Sequence, residues 1–177
     1  MPADRFVAAL NEQIAAEYAA SYQYAAVAIW YESHTLPRLA AFFYDQAVEE
    51  RNHAMMMAKY LIDTDTSVQL AAVPAPVGDF DDHVAPIQLA LDQERQVSGR
   101  ISELFGLARE EGDFLSEQFM QWFLKEQVEE EATMSELLDV AERTRDFPMT
   151  LEEYMAREHA SGPPEDPSAP EAAGGAR

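Results

Sequence analysis

The sequence predicts an all-α fold, a bundle of four long helices with one long crossover connection and a short fifth helix near the C-terminus. Three observations support this prediction. Hydrophobic residues make up 47% of the 177 residues, while the 7 glycines and 10 prolines cluster in a few places. Between those places, apolar residues recur at the spacing of a helix face. One of the breaks is far longer than the others.

The first two helices are predicted on either side of a short turn. No Pro or Gly interrupts residues 3–32, which are rich in Ala, Glu, Gln and Tyr and predict a helix. Residues 34–37 form the turn, and Pro37 suits the first turn of a second helix that runs to about residue 63. These two helices are therefore expected to be neighbours in the bundle.

The long break lies at residues 64–82, where helical periodicity fails and Pro74, Pro76 and Gly78 occur. Fully extended, such a segment reaches about 60 Å, whereas a helix of about 28 residues is about 42 Å long. The segment can therefore cross the whole bundle, so that the second and third helices run parallel.

The C-terminal half repeats the helical pattern. A third helix is predicted from about Pro86 to just before Gly112, and Asp113 suits the N-cap of a fourth helix that continues to about residue 145. A short fifth helix follows at residues 148–158. Residues 161–177 are a tail of Pro, Ala and Gly with almost nothing to bury, and we expect it to be disordered.

Composition narrows the range of partners. The 33 acidic residues against 12 basic ones give a net charge of −21, which repels nucleic acid and attracts cations. Because the chain has no cysteine, any metal must be held by oxygen and nitrogen ligands. We expect no membrane partner and a cytoplasmic location, because no leader-like or membrane-spanning apolar stretch occurs.

Ionisable residues interrupt the apolar stripe of each long helix. Positions seven apart lie nearly on one stripe, which should be apolar throughout if it faces a core. The interrupted stripes are Leu10-Glu17-Tyr24-Tyr31, Phe43-Glu50-Met57, Leu39-Gln46-His53-Tyr60, Ile87-Glu94-Ile101-Ala108, Phe123-Glu130-Leu137 and Met120-Gln127-Met134. These interruptions lie near the middle of each helix, so the side chains are expected to meet at one level of the bundle.

Four buried glutamates would repel one another strongly unless a positive charge compensates them. Two divalent metal ions carry the four positive charges that are needed. Oxygen donors with one imidazole suit iron or manganese, although affinity alone does not exclude zinc. Glu50 and His53 stand three residues apart on one helix face, so both can bind the same ion. Glu17 and Glu94 are single ligands, and Gln127 and Glu130 occupy the place of a second Glu-x-x-His motif.

These residues resemble those of the ferritin family, and of bacterial non-haem ferritins in particular. The segments 48–53 (VEERNH) and 126–131 (EQVEEE) carry the resemblance, with Glu17, Tyr24 and Glu94 at matching places. It implies a ferritin-like di-iron domain over residues 1–160 that stores iron. It further implies ferroxidase activity, in which O₂ or H₂O₂ oxidises Fe(II), and a homo-oligomeric shell of about twenty-four subunits around a ferric mineral.

The resulting assignment of roles covers ten residues. Those expected to be catalytic are Glu17, Tyr24, Glu50, His53, Glu94, Gln127 and Glu130. Five of these, all except Tyr24 and Gln127, are expected to bind two iron ions. Tyr24 either hydrogen-bonds a ligand, supplies an electron or only packs. The resemblance implies a third iron position, for which the expected ligands are Glu49, Glu126 and Glu129; a charged, solvated helix face explains these three residues nearly as well.

Two departures distinguish the chain within the resemblance. Bacterioferritins have His where this chain has Glu130, and they carry a haem-ligating Met where this chain has Arg51. No haem is therefore expected. At the start of the fourth helix, Glu117 matches an iron-entry channel position, whereas Met120 replaces the second acidic residue of that channel.

Two other functions remain open. A di-iron oxidase or peroxidase of similar architecture would retain its metals and act on another substrate. A helical adaptor without catalysis would use its acidic stripe only for assembly.

Overall fold

A computed structural model of the chain describes residues 1–159 and 166–175, and within them all regular structure is helical. The elements are α1 (Asp4–Ser33), α2 (Pro37–Asp63), α3 (Ala85–Glu110), α4 (Phe114–Arg143), α5 (Pro148–Glu158) and a 3₁₀ turn (Ala173–Gly175). The predicted fold class and the order of the five α-helices are confirmed. Across the described residues, no helix has the length and apolar character needed to cross a membrane.

Contacts between helix ends establish the directions in the bundle. The amide of Ala3, just before α1, donates to Asp113 Oδ2 at 3.1 Å, so the start of α1 lies beside the start of α4. Tyr60, near the end of α2, hydrogen-bonds Ser116 at that same end, with 2.8 Å between the two hydroxyl oxygens. Both α2 and α3 therefore point towards this end and run parallel, as the long crossover predicts.

The crossover between α2 and α3 is fastened along α1 by two buried amide side chains. Asn11 Nδ2 donates to the carbonyl of Ser67 at 3.2 Å, and Asn11 Oδ1 accepts from the amide of Gln69 at 2.7 Å. Further along, Gln23 both donates to and accepts from the backbone of Val77, each at 2.8 Å. These contacts satisfy backbone groups in a segment that has no regular hydrogen bonding of its own.

The short helix α5 closes one end of the bundle. Its buried Glu152 accepts from the backbone amides of Arg38 and Leu39 at 2.8 and 2.9 Å, which are free N–H groups in the first turn of α2. A carboxylate there also interacts favourably with the positive end of the helix dipole. At the opposite end, Asp113 caps α4 as predicted, because its Oδ1 accepts from Ser116 N at 3.1 Å.

The apolar core is divided into two clusters, one on each side of the bundle's middle. The cluster towards α5 includes Tyr31, Leu39, Phe43, Ile87, Met134, Leu137 and Leu151. The cluster at the other end includes Phe6, Leu10, Ile14, Met57, Ile101, Met120 and Phe123. The stripe residues that interrupt the apolar pattern lie between these two clusters, which places a polar layer inside an otherwise apolar bundle.

The C-terminal tail differs from the expectation of disorder where the structure describes it. Residues 166–175 lie against α2 and α4, where Asp166 Oδ2 accepts from Trp122 Nε1 at 3.1 Å and lies 3.6 Å from Lys125 Nζ. These contacts are polar, whereas the sequence argument counted only the apolar residues that the tail could bury. Residues 161–165 and 176–177 of the predicted tail, and the predicted domain boundary at 160, lie outside the described residues.

Candidate metal centre

A buried layer of ionisable side chains occupies the middle of the bundle. The exposed fraction of the side chains that form it is small in every case: Glu94 0%, Glu17 1%, Glu50 1%, His53 3% and Glu130 5%. Each of the four long helices contributes, because each carries one or more of these residues on the stripe that also carries core residues. The seven-residue pattern therefore identified inward-facing positions correctly.

One half of the layer is a compact group formed by Glu17, Glu50 and His53. Each offers a ligand atom, and these atoms all lie within 4.8 Å of one another. His53 Nδ1 is 3.4 Å from Glu50 Oε2. Glu17 Oε2 and Glu50 Oε2 are both buried, and neither has a hydrogen-bond partner in the described part of the chain. Buried oxygens without donors are costly, so this donor set fits a hard divalent cation between them.

The other half of the layer is organised around Glu94. The Tyr24 hydroxyl donates to Glu94 Oε1, and Gln127 Nε2 donates to Glu94 Oε2 at 3.0 Å. Both predicted partner residues thus contact the same carboxylate, from α1 and from α4. Glu130, one helical turn after Gln127, is buried in this layer as well. The contacts give Tyr24 and Gln127 a definite arrangement: they orient Glu94.

Burial and mutual repulsion favour protonated carboxyl groups in this layer. Burial raises the pKa of Glu50 and of Glu130 well above the ordinary value, and neighbouring glutamates raise both further. Burial also raises the pKa of Glu94 to about 7, against the lowering effect of the hydrogen bond from Tyr24. A divalent cation would displace these protons, so its binding and proton release are coupled.

His53 is held by an aromatic wall and favoured in its neutral, ligating form. Its ring centroid lies 5.6 Å from that of Trp122 and 5.8 Å from that of Phe123, both in edge-on contacts from α4. Burial lowers the pKa of His53, although the nearby carboxylates Glu17 and Glu126 raise it in part. A neutral imidazole is the form that binds metal ions.

A second group lies on the outer side of His53. Glu49, His53 and Glu126 also offer ligand atoms within 4.8 Å of one another. They line a cavity of about 1100 Å³ between α2, α4 and residues 166–175, which we call the chamber. Glu49 and Glu126 are half-buried. Glu129, the third residue assigned to this position, is exposed and pairs with Lys125 at 3.5 Å, so the structure does not bring it into the group.

Two buried glutamines that the sequence assignment did not include as site residues contact glutamates of these groups. Gln13 Nε2 donates to Glu17 Oε1 at 2.9 Å, and Gln46 Nε2 donates to Glu49 Oε2 at 2.8 Å. The available signal was positional: each glutamine precedes its glutamate by about one helical turn. Glu117, assigned to an entry channel, accepts from Arg109 Nη2 at 2.7 Å near the turn between α3 and α4.

Comparisons with known proteins agree with this architecture. The family model described as "Ferritin-like domain" matches residues 7–144. The chain is 48% identical to "Ferritin BfrB" of Mycolicibacterium smegmatis over 172 residues, which is 97% of this chain and 94% of the relative. It is 36% identical to "Bacterial non-heme ferritin" of Staphylococcus epidermidis over 154 residues, or 87% of this chain and 93% of that protein.

A solved structure of an Archaeoglobus fulgidus ferritin, engineered into a closed form, superimposes with a TM-score of 0.85. It is 30% identical in sequence, and the match covers 89% of this chain and 98% of that chain. The similarity therefore extends over the bundle as a whole.

Proposed function

Since the chain belongs to the ferritin family, whose members store iron, we propose that it is a ferroxidase: it oxidises Fe(II) at the buried layer and stores the Fe(III) product inside a shell of many copies of itself. This proposal includes binding of two iron ions in each subunit. Two relatives support the iron chemistry, because the M. smegmatis protein is named "Ferritin BfrB" and the S. epidermidis protein is named "Bacterial non-heme ferritin".

The observation that carries the proposal is the pair of buried carboxylate oxygens without donors, Glu17 Oε2 and Glu50 Oε2, next to His53 among the described residues. A bundle with only a structural role would have apolar residues at these positions or would pair each oxygen with a donor. The charge of four ionised glutamates is also equal in magnitude and opposite in sign to that of two divalent ions. Charge compensation and hydrogen-bond satisfaction thus favour the same occupant.

The substrate is a pair of Fe(II) ions, and different residues of the layer bind each ion. Glu17 and His53 bind one ion, and Glu94 binds the other. Glu50, together with Glu130, is shared between the ions. The Tyr24 hydroxyl and the Gln127 amide hold Glu94 in place, and the apolar clusters on both sides exclude water from the layer. The protein thus contributes proximity and charge neutralisation.

The reaction balances in electrons and protons. Each Fe(II) loses one electron, and O₂ takes up two electrons and two protons to give H₂O₂; with H₂O₂ as oxidant, the same two electrons and two protons give two waters. Fe(III) then hydrolyses, releases protons and joins the mineral. The chamber group provides a third position for iron beside His53, formed by Glu49 and Glu126 rather than by Glu129.

Aerobic addition of Fe(II) to the purified assembly tests this proposal. We expect rapid growth of near-ultraviolet absorbance, repeated on successive additions, and size exclusion at the position of a shell rather than a monomer or dimer. An oxidase that retains its metals would stop after the first equivalents of Fe(II). An assembly no larger than a dimer with no absorbance change would instead favour the helical adaptor.

A further inference from the structure

Gln13 has an unusual position for a polar side chain. It lies on α1 one helical turn before Glu17, and only 2% of it is exposed. Its Nε2 donates to Glu17 Oε1 at 2.9 Å. A buried amide is costly unless it is hydrogen-bonded, and this contact satisfies it with a carboxylate of the proposed centre.

The contact distinguishes the two oxygens of Glu17. Oε1 is occupied by the amide, whereas Oε2 has no partner within the described ranges. A carboxylate held through one oxygen has fewer orientations, and Glu17 belongs to the group with Glu50 and His53. Glu50 differs, because its Oε2 lies 3.4 Å from His53 Nδ1 and no side-chain amide among the residues described donates to it.

The chamber repeats the arrangement. Gln46, which is 6% exposed, donates from Nε2 to Glu49 Oε2 at 2.8 Å. Each of the two groups that share His53 therefore includes one glutamate held by a buried glutamine on the same helix. This recurrence supports a role at the site, since an apolar residue would fill either position at lower cost if packing alone mattered.

We propose that Gln13 is a positioning residue that fixes Glu17 as a single-oxygen ligand, so that the Glu17–Glu50–His53 group is arranged before the first metal ion enters. The inference rests on the proposed function. Preorganisation lowers the ordering cost of binding, and loss of hydrogen-bonding partners behind metal ligands typically reduces metal affinity by about 10–100-fold. Glu50, which has no such amide donor among the described residues, is left to adjust to the second ion.

Anaerobic Co(II) binding to the assembled protein tests the inference, because the visible spectrum of Co(II) reports the number and arrangement of its ligands. Gln13→Met removes the amide at similar volume, and calorimetry gives the affinity. The matched control is Gln23→Met, which also removes a buried amide of α1, but one bonded to the backbone of Val77. In Gln13→Met, we expect the affinity of the tighter Co(II) site to fall about 10–100-fold and the visible spectrum to change. Neither change is expected in Gln23→Met.

Equal affinity and an identical spectrum in Gln13→Met and the parent would overturn the inference and leave the proposed function intact. A parent that binds no Co(II) would overturn both. Should Gln13→Met fail to assemble, Gln13→Asn takes its place, because it retains a polar amide that is one methylene too short for Glu17; the same loss of affinity is expected, and its absence counts against the role. Reduced affinity in Gln23→Met to the same extent would reassign the effect to general loosening of α1.

Discussion

The buried layer and the chamber contain the same types of side chain, glutamate and histidine, in different surroundings. Both contain a group of two glutamates with His53, and in both the ligand atoms lie within 4.8 Å of one another. Glu17 and Glu50 are each 1% exposed, whereas Glu49 and Glu126 are half-buried and open onto a cavity of about 1100 Å³. Water can screen charges in the chamber but not in the layer. Only the carboxylates of the layer therefore require bound cations in order to remain ionised.

This difference separates two kinds of acidic residue that look alike in the sequence. Glu49 and Glu50 are adjacent, yet the helix turns about 100° between them, so Glu50 enters the core and Glu49 faces the chamber. We therefore expect substitution of a residue in the layer to change both metal binding and the stability of the bundle. Substitution of a residue in the chamber is expected to change the number of metal ions bound, with little effect on folding.

The largest expected effect comes from breaking the layer. Glu50→Ala should slow the fast phase of Fe(II) oxidation by about 100-fold or more, because a lost ligand costs more than the 10–100-fold typical of its supporting partners. The shell should still assemble, since alanine suits the apolar stripe. Stopped-flow absorbance measures the fast phase, and Glu49→Ala is the matched control that should retain it. A normal fast phase in Glu50→Ala would eliminate the proposed layer as the site of oxidation.

A smaller effect is expected in the stability of the metal-free protein. The pKa of Glu94 rises from 4.5 to about 7 on burial, so the folded state holds a proton that the unfolded chain releases in this range. The stability from this group is complete below about pH 4.5 and is lost as the pH rises through about 7. Glu50 and Glu130 shift in the same direction.

Glu94→Gln isolates that contribution. Circular dichroism gives the thermal unfolding midpoint of the metal-free protein between about pH 5 and 7.5. As the pH rises, this midpoint should fall less steeply in the variant than in the parent. A divalent metal ion should restore more stability at the higher pH in the parent than in the variant, which loses only the ligand assigned to the second ion. Parallel curves for parent and variant would show that Glu94 keeps an ordinary pKa.

The smallest effect is expected from removing residues 166–175, which line one side of the chamber. Ending the chain before residue 161 removes the contacts of Asp166 with Trp122 and Lys125. Assembly should persist, because the bundle core does not include the tail and exposed ion pairs contribute little. In a Trp30→Phe background, emission from Trp122 should shift to longer wavelength as water enters.

Sedimentation and fluorescence together decide this third prediction. Dissociation of the shortened protein into dimers would give the tail a structural role. Unchanged Trp122 emission would count against its docking on the α2 and α4 face.

The fold and the inward positions of the site were accessible from the sequence for physical reasons. Helix length, turn residues and the reach of the 64–82 segment limit the topology, and an ionisable residue such as Glu17 or Glu94 in an apolar stripe stands out at seven-residue spacing. These signals depend only on segment length, turn residues and periodicity, all of which can be read along the chain.

The remaining features depend on contacts that periodicity does not encode. The role of Gln13 depends on which rotamer brings its amide to Glu17, and the docking of the tail depends on individual polar contacts such as that of Asp166. Likewise, Glu126 joins the chamber group while Glu129, three residues later, is exposed beside Lys125. A difference in helix rotation and in the position of one lysine separates these two glutamates.

Anaerobic Fe(II) titration of the Glu49→Ala/Glu126→Ala/Glu129→Ala variant tests most directly whether the layer alone is the oxidation centre. The variant removes the acidic residues assigned to the chamber and leaves the layer unchanged. Calorimetry should then give two ions per subunit, fewer than in the parent, and a subsequent pulse of O₂ should still produce the fast oxidation. Loss of the fast phase, or binding of fewer than two ions, would place the reactive iron in the chamber and contradict the assignment of Glu17, Glu50, His53, Glu94 and Glu130.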